Sequence, residues 1–151
     1  MGVEFQSIIF CKEVIVTEDQ GYSKYTANDV LYQYRIDANS VENVAVNIII
    51  SIINLRSNIN YRFNIRVSDS NGMSWGGIGH TISKSTSGET GHITQTIIKS
   101  GMAFSRDYFK VNTSLDFYLS IESEEGYFYE KDFSKVTLPI IAPIKDEKVN
   151  E

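Results

Sequence analysis

Along most of the chain, hydrophobic positions recur every second residue. Tyr61, Phe63, Ile65 and Val67 alternate with Arg62, Asn64, Arg66 and Ser68. That period belongs to a half-buried β-strand with one face on a core and one in water. Ser68-Asp69-Ser70-Asn71-Gly72 follows, and Tyr61 to Ile82 reads as one hairpin. A type I′ turn centred on Asn71-Gly72 sets Trp75 opposite Ser68. A type I turn starting at Asp69, with Gly72 left-handed, sets Trp75 opposite Val67. Asp at the first turn position and Gly at the fourth favour the second. Met73 and Trp75 share one parity, Ile78 and Ile82 the other, and Gly76-Gly77 lies between them. One extra residue there, a bulge, brings Trp75, Ile78 and Ile82 onto one face. Trp75 is therefore expected in the core, with an exposed binding residue as the alternative.

Other segments carry the same period. Phe5 to Val16 has apolar residues on both faces, interrupted by Lys12-Glu13, as a bent strand touching two sheets would. Glu18-Asp19-Gln20-Gly21 reads as a turn, and Tyr22 to Asn28 as a loop or edge strand. In Val30 to Ala38, Val30, Tyr32, Tyr34, Ile36 and Ala38 are expected inward. Val44, Val46, Ile48, Ile50 and Ile52 form an unbroken inner face. Ile48 to Ile53 is uncharged and β-branched, so it belongs in a central strand paired on both sides. Ile49 and Ile53, on its other face, are candidates for self-association. Ser83 to Gly91 is a polar loop, and His92 to Ile98 a short strand. Ser100 to Lys110 is the one segment with any helical character.

Leu115, Phe117, Leu119 and Ile121 mark a strand that Glu124-Glu125-Gly126 turns back. Tyr127 to Phe133 is expected to pair with it, Ile121 near Tyr129 and Phe117 near Phe133, with Phe133 in the core. Val136, Leu138 and Ile140 make a last strand, which Pro139 marks as an edge. The reading is an all-β, single-domain antiparallel β-sandwich, Ig-like or jelly-roll-like, of eight or nine strands with at most one short helix. A barrel is the alternative. The domain spans 1–144, and 145–151 is a charged tail.

Composition narrows the function classes. The chain has 151 residues, a net charge of −5 and one cysteine, Cys11. The length suits one domain. The acidic balance argues against a general nucleic-acid binder and favours a basic or protein partner. A single cysteine excludes an internal disulfide and suits a reducing compartment. No signal-peptide pattern opens the chain, and no apolar run reaches membrane-spanning length. A cytoplasmic location is the expectation. Heavy use of Ile, Asn, Lys and Tyr points to an AT-rich bacterial or phage genome.

Candidate chemistry is sparse. His80 and His92 fall in different strands without companions at metal-ligand spacing, so neither a metal nor another cofactor is expected. Cys11, between Phe10 and Lys12, reads as a small buried residue. No serine stands in a nucleophile-elbow pattern. Glu122, Glu124 and Glu125 cluster at a hairpin tip, which reads as a solvated turn, with a cation site or a contact for a basic partner as the functional alternatives. Arg62 and Arg66 form a basic stripe on the wet face of the central hairpin. Tyr118, Tyr127 and Phe128 are the aromatics expected at the surface, where they suit a stacking platform.

The opening Ile8-Ile9-Phe10-Cys11-Lys12-Glu13-Val14, the alternating strands, and the strand ending Val67-Ser68-Asp69-Ser70-Asn71-Gly72 together carry a likeness. In these features the chain resembles a group of small bacterial β-sandwich proteins of unknown function. In that group an Asp-x-Asp-Gly turn closes the central hairpin; here Asn71 stands where Asp is usual. The resemblance runs over most of the chain and implies a fold but no activity. The functional expectation is a non-enzymatic binding or interaction protein. The alternative is a carbohydrate- or small-ligand-binding module using Trp75 and the exposed aromatics.

Overall fold

The computed structural model describes residues 2–56, 59–69, 74–83, 92–124 and 129–143. Nine strands and one turn of 3-10 helix (Arg106–Tyr108) fall within them. The strands are β1 (Glu4–Asp19), β2 (Tyr22–Val30), β3 (Tyr34–Arg35), β4 (Val44–Arg56) and β5 (Asn60–Asp69). They continue as β6 (Ser74–Ser83), β7 (His92–Phe104), β8 (Thr113–Ser123) and β9 (Lys131–Ile141). One sheet has the order β2-β1-β4-β7, the other β3-β9-β8-β5-β6. All described pairings are antiparallel except β3 with β9. The fold is an all-β sandwich, and the chain changes sheet after β2, β3, β4, β6 and β7.

Alternation explains why the two sheets close on each other. Val44, Val46, Ile48, Ile50 and Ile52 on β4 are all buried, as are Tyr61, Phe63, Ile65 and Val67 on β5. Leu115, Phe117, Leu119 and Ile121 supply the β8 share. The aromatic rings join the layers: Phe10 of β1 lies 4.8 Å from Phe117 of β8, and Phe5 lies 6.1 Å from Phe63 of β5. Removing this apolar surface from water is the main force holding the sheets together.

The central hairpin has the register expected of it. Val67 faces Trp75 and Arg66 faces Gly77, so Gly76 is the inserted residue and Ile78 falls opposite Ile65. Bulges also occur where they were not foreseen. Asn54 takes a left-handed φ of 61°, and β4 gains one residue against β7 there. Strict alternation would turn Leu55 outward; the insertion returns it to the core, where it is fully buried. Asn suits the site because its short polar side chain tolerates the left-handed region.

Three expectations are corrected. Residues 100–104 are not helical: β7 runs on to Phe104, burying Met102 and Phe104, and only Arg106–Tyr108 coils. Val30 to Ala38 is not one inward-facing strand. Val30 ends β2 opposite Cys11 and is exposed, as is Tyr32; beyond it only Tyr34–Arg35 pairs, beside Ile140 and Ile141. Leu31, whose N–H bonds the Phe10 carbonyl, packs on the core instead.

The third correction concerns the last hairpin. Lys131 to Ile141 is a single strand, with Phe117 opposite Val136 and Ile121 opposite Asp132. Phe133 therefore faces Ser120 and is 62% exposed, not part of the core. Among the described strands Pro139 has only β8 beside it, because β3 pairs with Ile140 and Ile141 alone. The missing proline donor is thus tolerated. The 70–73 turn, residues 84–91, the tip carrying Glu125, Tyr127 and Phe128, and the charged tail lie outside the described residues.

Candidate outer-face interaction site

The register of the five-stranded sheet sets side chains into rows on its solvent face. Across β5, β8 and β9 these rows are Arg62–Glu122–Lys131, Asn64–Ser120–Phe133, Arg66–Tyr118–Lys135 and Ser68–Asp116–Thr137. β8 thus offers carboxylates, a hydroxyl and an aromatic ring, between cation-bearing strands on both sides. Beyond β5, the β6 positions opposite Asn64 and Arg66 are Gly79 and Gly77, which carry no side chain.

Tyr118 is the hub. Its ring stacks against Phe133 with centroids 6.4 Å apart and planes 30° from parallel. The Arg66 guanidinium lies 5.3 Å from the Tyr118 centroid and the Lys135 ammonium 5.6 Å from it. An aromatic face attracts cations electrostatically, so the two charges hold the ring between them. Lys135 also reaches Asp116 at 3.9 Å, and Thr137 donates to the same carboxylate at 2.7 Å.

At the other end of the rows, the Tyr129 hydroxyl donates to Glu122 at 3.2 Å, and Lys131 lies 6.0 Å from the Tyr129 centroid. Arg62 meets Glu124 at 3.4 Å. A shallow, open groove runs between Glu122, Tyr129, Asp132 and Phe133. These exposed pairs contribute little to stability, on the order of 0–1 kcal/mol each. They do hold a ring pair and four cations in one fixed pattern.

Five residues singled out in the sequence meet on this face: Arg62, Arg66, Tyr118, Glu122 and Glu124. Trp75 occupies a β6 position in register with buried Val67, on the opposite parity from the Arg62–Arg66 stripe. Glu125, Tyr127 and Phe128 lie outside the described residues. Phe133, Tyr129, Lys131 and Lys135 were not foreseen here. The signal for them was the Val136–Leu138–Ile140 stripe. Extended backwards without a break, it puts Lys131, Phe133 and Lys135 on the outer face.

The expected self-association pair stands on the outer face of the other sheet. Ile49 lies in a register row between Ile9 and Ile98 and keeps 9% of its surface, and Ile53 is half-buried. His80 and His92 belong to different sheets, opposite Phe63 and Arg56. Cys11 is fully buried, and that burial pushes its thiol pKa up, away from nucleophile behaviour. Among the described residues, no three His, Cys, Asp or Glu side chains group as metal ligands would, and no helix is long and apolar enough to cross a membrane.

A second polar cluster closes one end of the sandwich. The buried Tyr61 hydroxyl donates to Glu130 Oε1 and accepts the Arg56 N–H at 2.9 Å. Glu130 Oε2 accepts the Val3 N–H at 3.2 Å, and the Glu130 N–H bonds Ser123 Oγ at 2.9 Å. Asp132 accepts the Phe5 N–H at 2.8 Å. The cluster ties β1 to the start of β9 across the open flank between the sheets. Burial, reinforced by the Glu130 carboxylate, pushes the Tyr61 pKa up to about 12. A phenol held this firmly in its neutral form is a structural fastener.

No protein-family model, curated protein or solved structure matches the chain.

Proposed function

We propose that this is a non-enzymatic interaction protein that engages a protein partner through the outer face of its five-stranded sheet, in the cytoplasm. The observation that carries this reading is the Tyr118–Phe133 ring pair, exposed through Phe133 and flanked by Arg66 and Lys135. Aromatics and arginine are the residues that anchor protein interfaces. A partner surface with acidic side chains around an apolar centre complements this face. Immobilised protein should retain a defined partner, and Phe133→Asp and Arg66→Glu should each release it without shifting the thermal midpoint. Retention that neither substitution changes would refute the proposed face.

A carbohydrate or small-ligand module is the second reading, favoured by the groove between Tyr129 and Phe133 with Glu122 and Asp132 beside it. Rings beside hydrogen-bonding carboxylates are the equipment of a sugar site. A glycan array in which Phe133→Ala abolishes a reproducible signal would favour this reading over the protein partner.

A further inference from the structure

The β1–β2 hairpin outruns the sandwich. β1 leaves β4 after Cys11 pairs with Asn47, whose side-chain amide bonds the Lys12 carbonyl at 2.6 Å. From Glu13 to Asp19 the only described strand paired with β1 is β2, in an unbroken antiparallel register. Gln20 and Gly21, at φ 51° and 81°, close the hairpin with the two left-handed residues of a type I′ turn. No described side chain from Lys12 to Val30 is buried. A two-stranded ribbon in water is marginally stable by itself.

The two faces of the ribbon differ. Val14 pairs with Ala27 and Val16 with Tyr25, so these four share one face, with Val16 53% and Tyr25 38% exposed. By alternation this is the side of β1 that carries Ile8 and Phe10 toward the core. The apolar stripe therefore continues beyond the sheet that covers it. Lys12 lies on the same face two residues before Val14, and Glu18 two residues after Val16. The other face sets Ile15 among Glu13, Thr17, Lys24, Thr26 and Asn28.

We propose that this ribbon is a self-association element and that its occupant is the same ribbon of a second copy, packed face to face about a two-fold axis. The charge pattern is complementary to itself: an axis midway between Val14 and Val16 brings Lys12 of each chain to Glu18 of the other. Interfaces of this kind are isologous. The ribbon is roughly 26 Å long, from about 3.3 Å per residue. That footprint is well under the ~800 Å² per partner of a standard interface, so the dimer is weak.

Sedimentation velocity on the whole protein, from about 10 μM to about 1 mM, tests this. A reversible monomer–dimer equilibrium is expected. Val16→Glu should weaken it at least about tenfold, and Ile15→Glu, on the opposite face, should leave it unchanged. Lys12→Glu and Glu18→Lys should each weaken it several-fold, and the double exchange should restore it. A monomer throughout the range, a dimer insensitive to Val16→Glu, or a double exchange that fails to rescue would each overturn the proposal.

Discussion

Single side chains do unequal work in this molecule, and Tyr61 does the most specific. It is fully buried, yet its hydroxyl bridges the Arg56 amide and the Glu130 carboxylate, and Glu130 in turn holds the N-terminal strand. Tyr61→Phe keeps the packing and withdraws one hydrogen bond from each partner, so it should cost about 1–3 kcal/mol in urea unfolding at neutral pH. The pH dependence follows from the raised pKa. The folded state holds the phenol neutral, while the unfolded chain ionises it near its ordinary value of 10. The stabilisation is therefore complete below pH 10 and lost as pH rises toward about 12. The difference between wild type and Tyr61→Phe should shrink over that window, and a constant difference would contradict this account.

At the scale of elements, bulges decide which way side chains point. A one-residue slip flips every following position to the other face. Leu55 is buried because Asn54 turns left-handed, and Ile78 meets Ile65 because Gly76 is extra. Asn54→Gly should be close to neutral, since glycine adopts that φ freely. Asn54→Val should lower stability by roughly 1–2 kcal/mol, because a β-branched residue is strained there. Equal urea midpoints for the two variants would show that the backbone is not constrained as described. The Gly76 bulge was legible because two apolar parities met at a Gly-Gly pair. The Asn54 bulge was not: Asn-Leu-Arg at a strand end carries no such marker. β9 shows the converse case. A hairpin with Phe133 near Phe117 sets that ring inward, whereas its parity with Lys131 and Lys135 in one continuous strand assigns it to the surface.

The whole molecule is two sheets held by one interior, so its stability should be coupled across the layers. Phe10 and Phe117 belong to different sheets, and their ring centroids lie 4.8 Å apart. Phe117→Ala should cost about 3–5 kcal/mol, as large-to-small changes in a packed core do. A double-mutant cycle with Phe10→Ala should return a coupling of about 0.5–1.5 kcal/mol. Zero coupling would mean that the layers are held elsewhere. The same architecture explains the two candidate surfaces. Outward positions of β5, β8 and β9 form one patch only because β5, distant in sequence, lies beside the consecutive strands β8 and β9. The ribbon is exposed because β4 pairs with β1 only as far as Asn47, so that among the described strands β1 has no second neighbour beyond Cys11.

From the sequence alone came the class of the fold, the inward stripes of β4, β5 and β8, and the register of the central hairpin, all of them consequences of local alternation and turn chemistry. What the tertiary structure decided was non-local: which strands are neighbours, where one sheet outruns the other, and that Arg66 of β5 reaches the Tyr118 ring of β8. A period of two says which residues share a face, but it carries no information about what lies across from that face. Only the pairing of distant strands settles that.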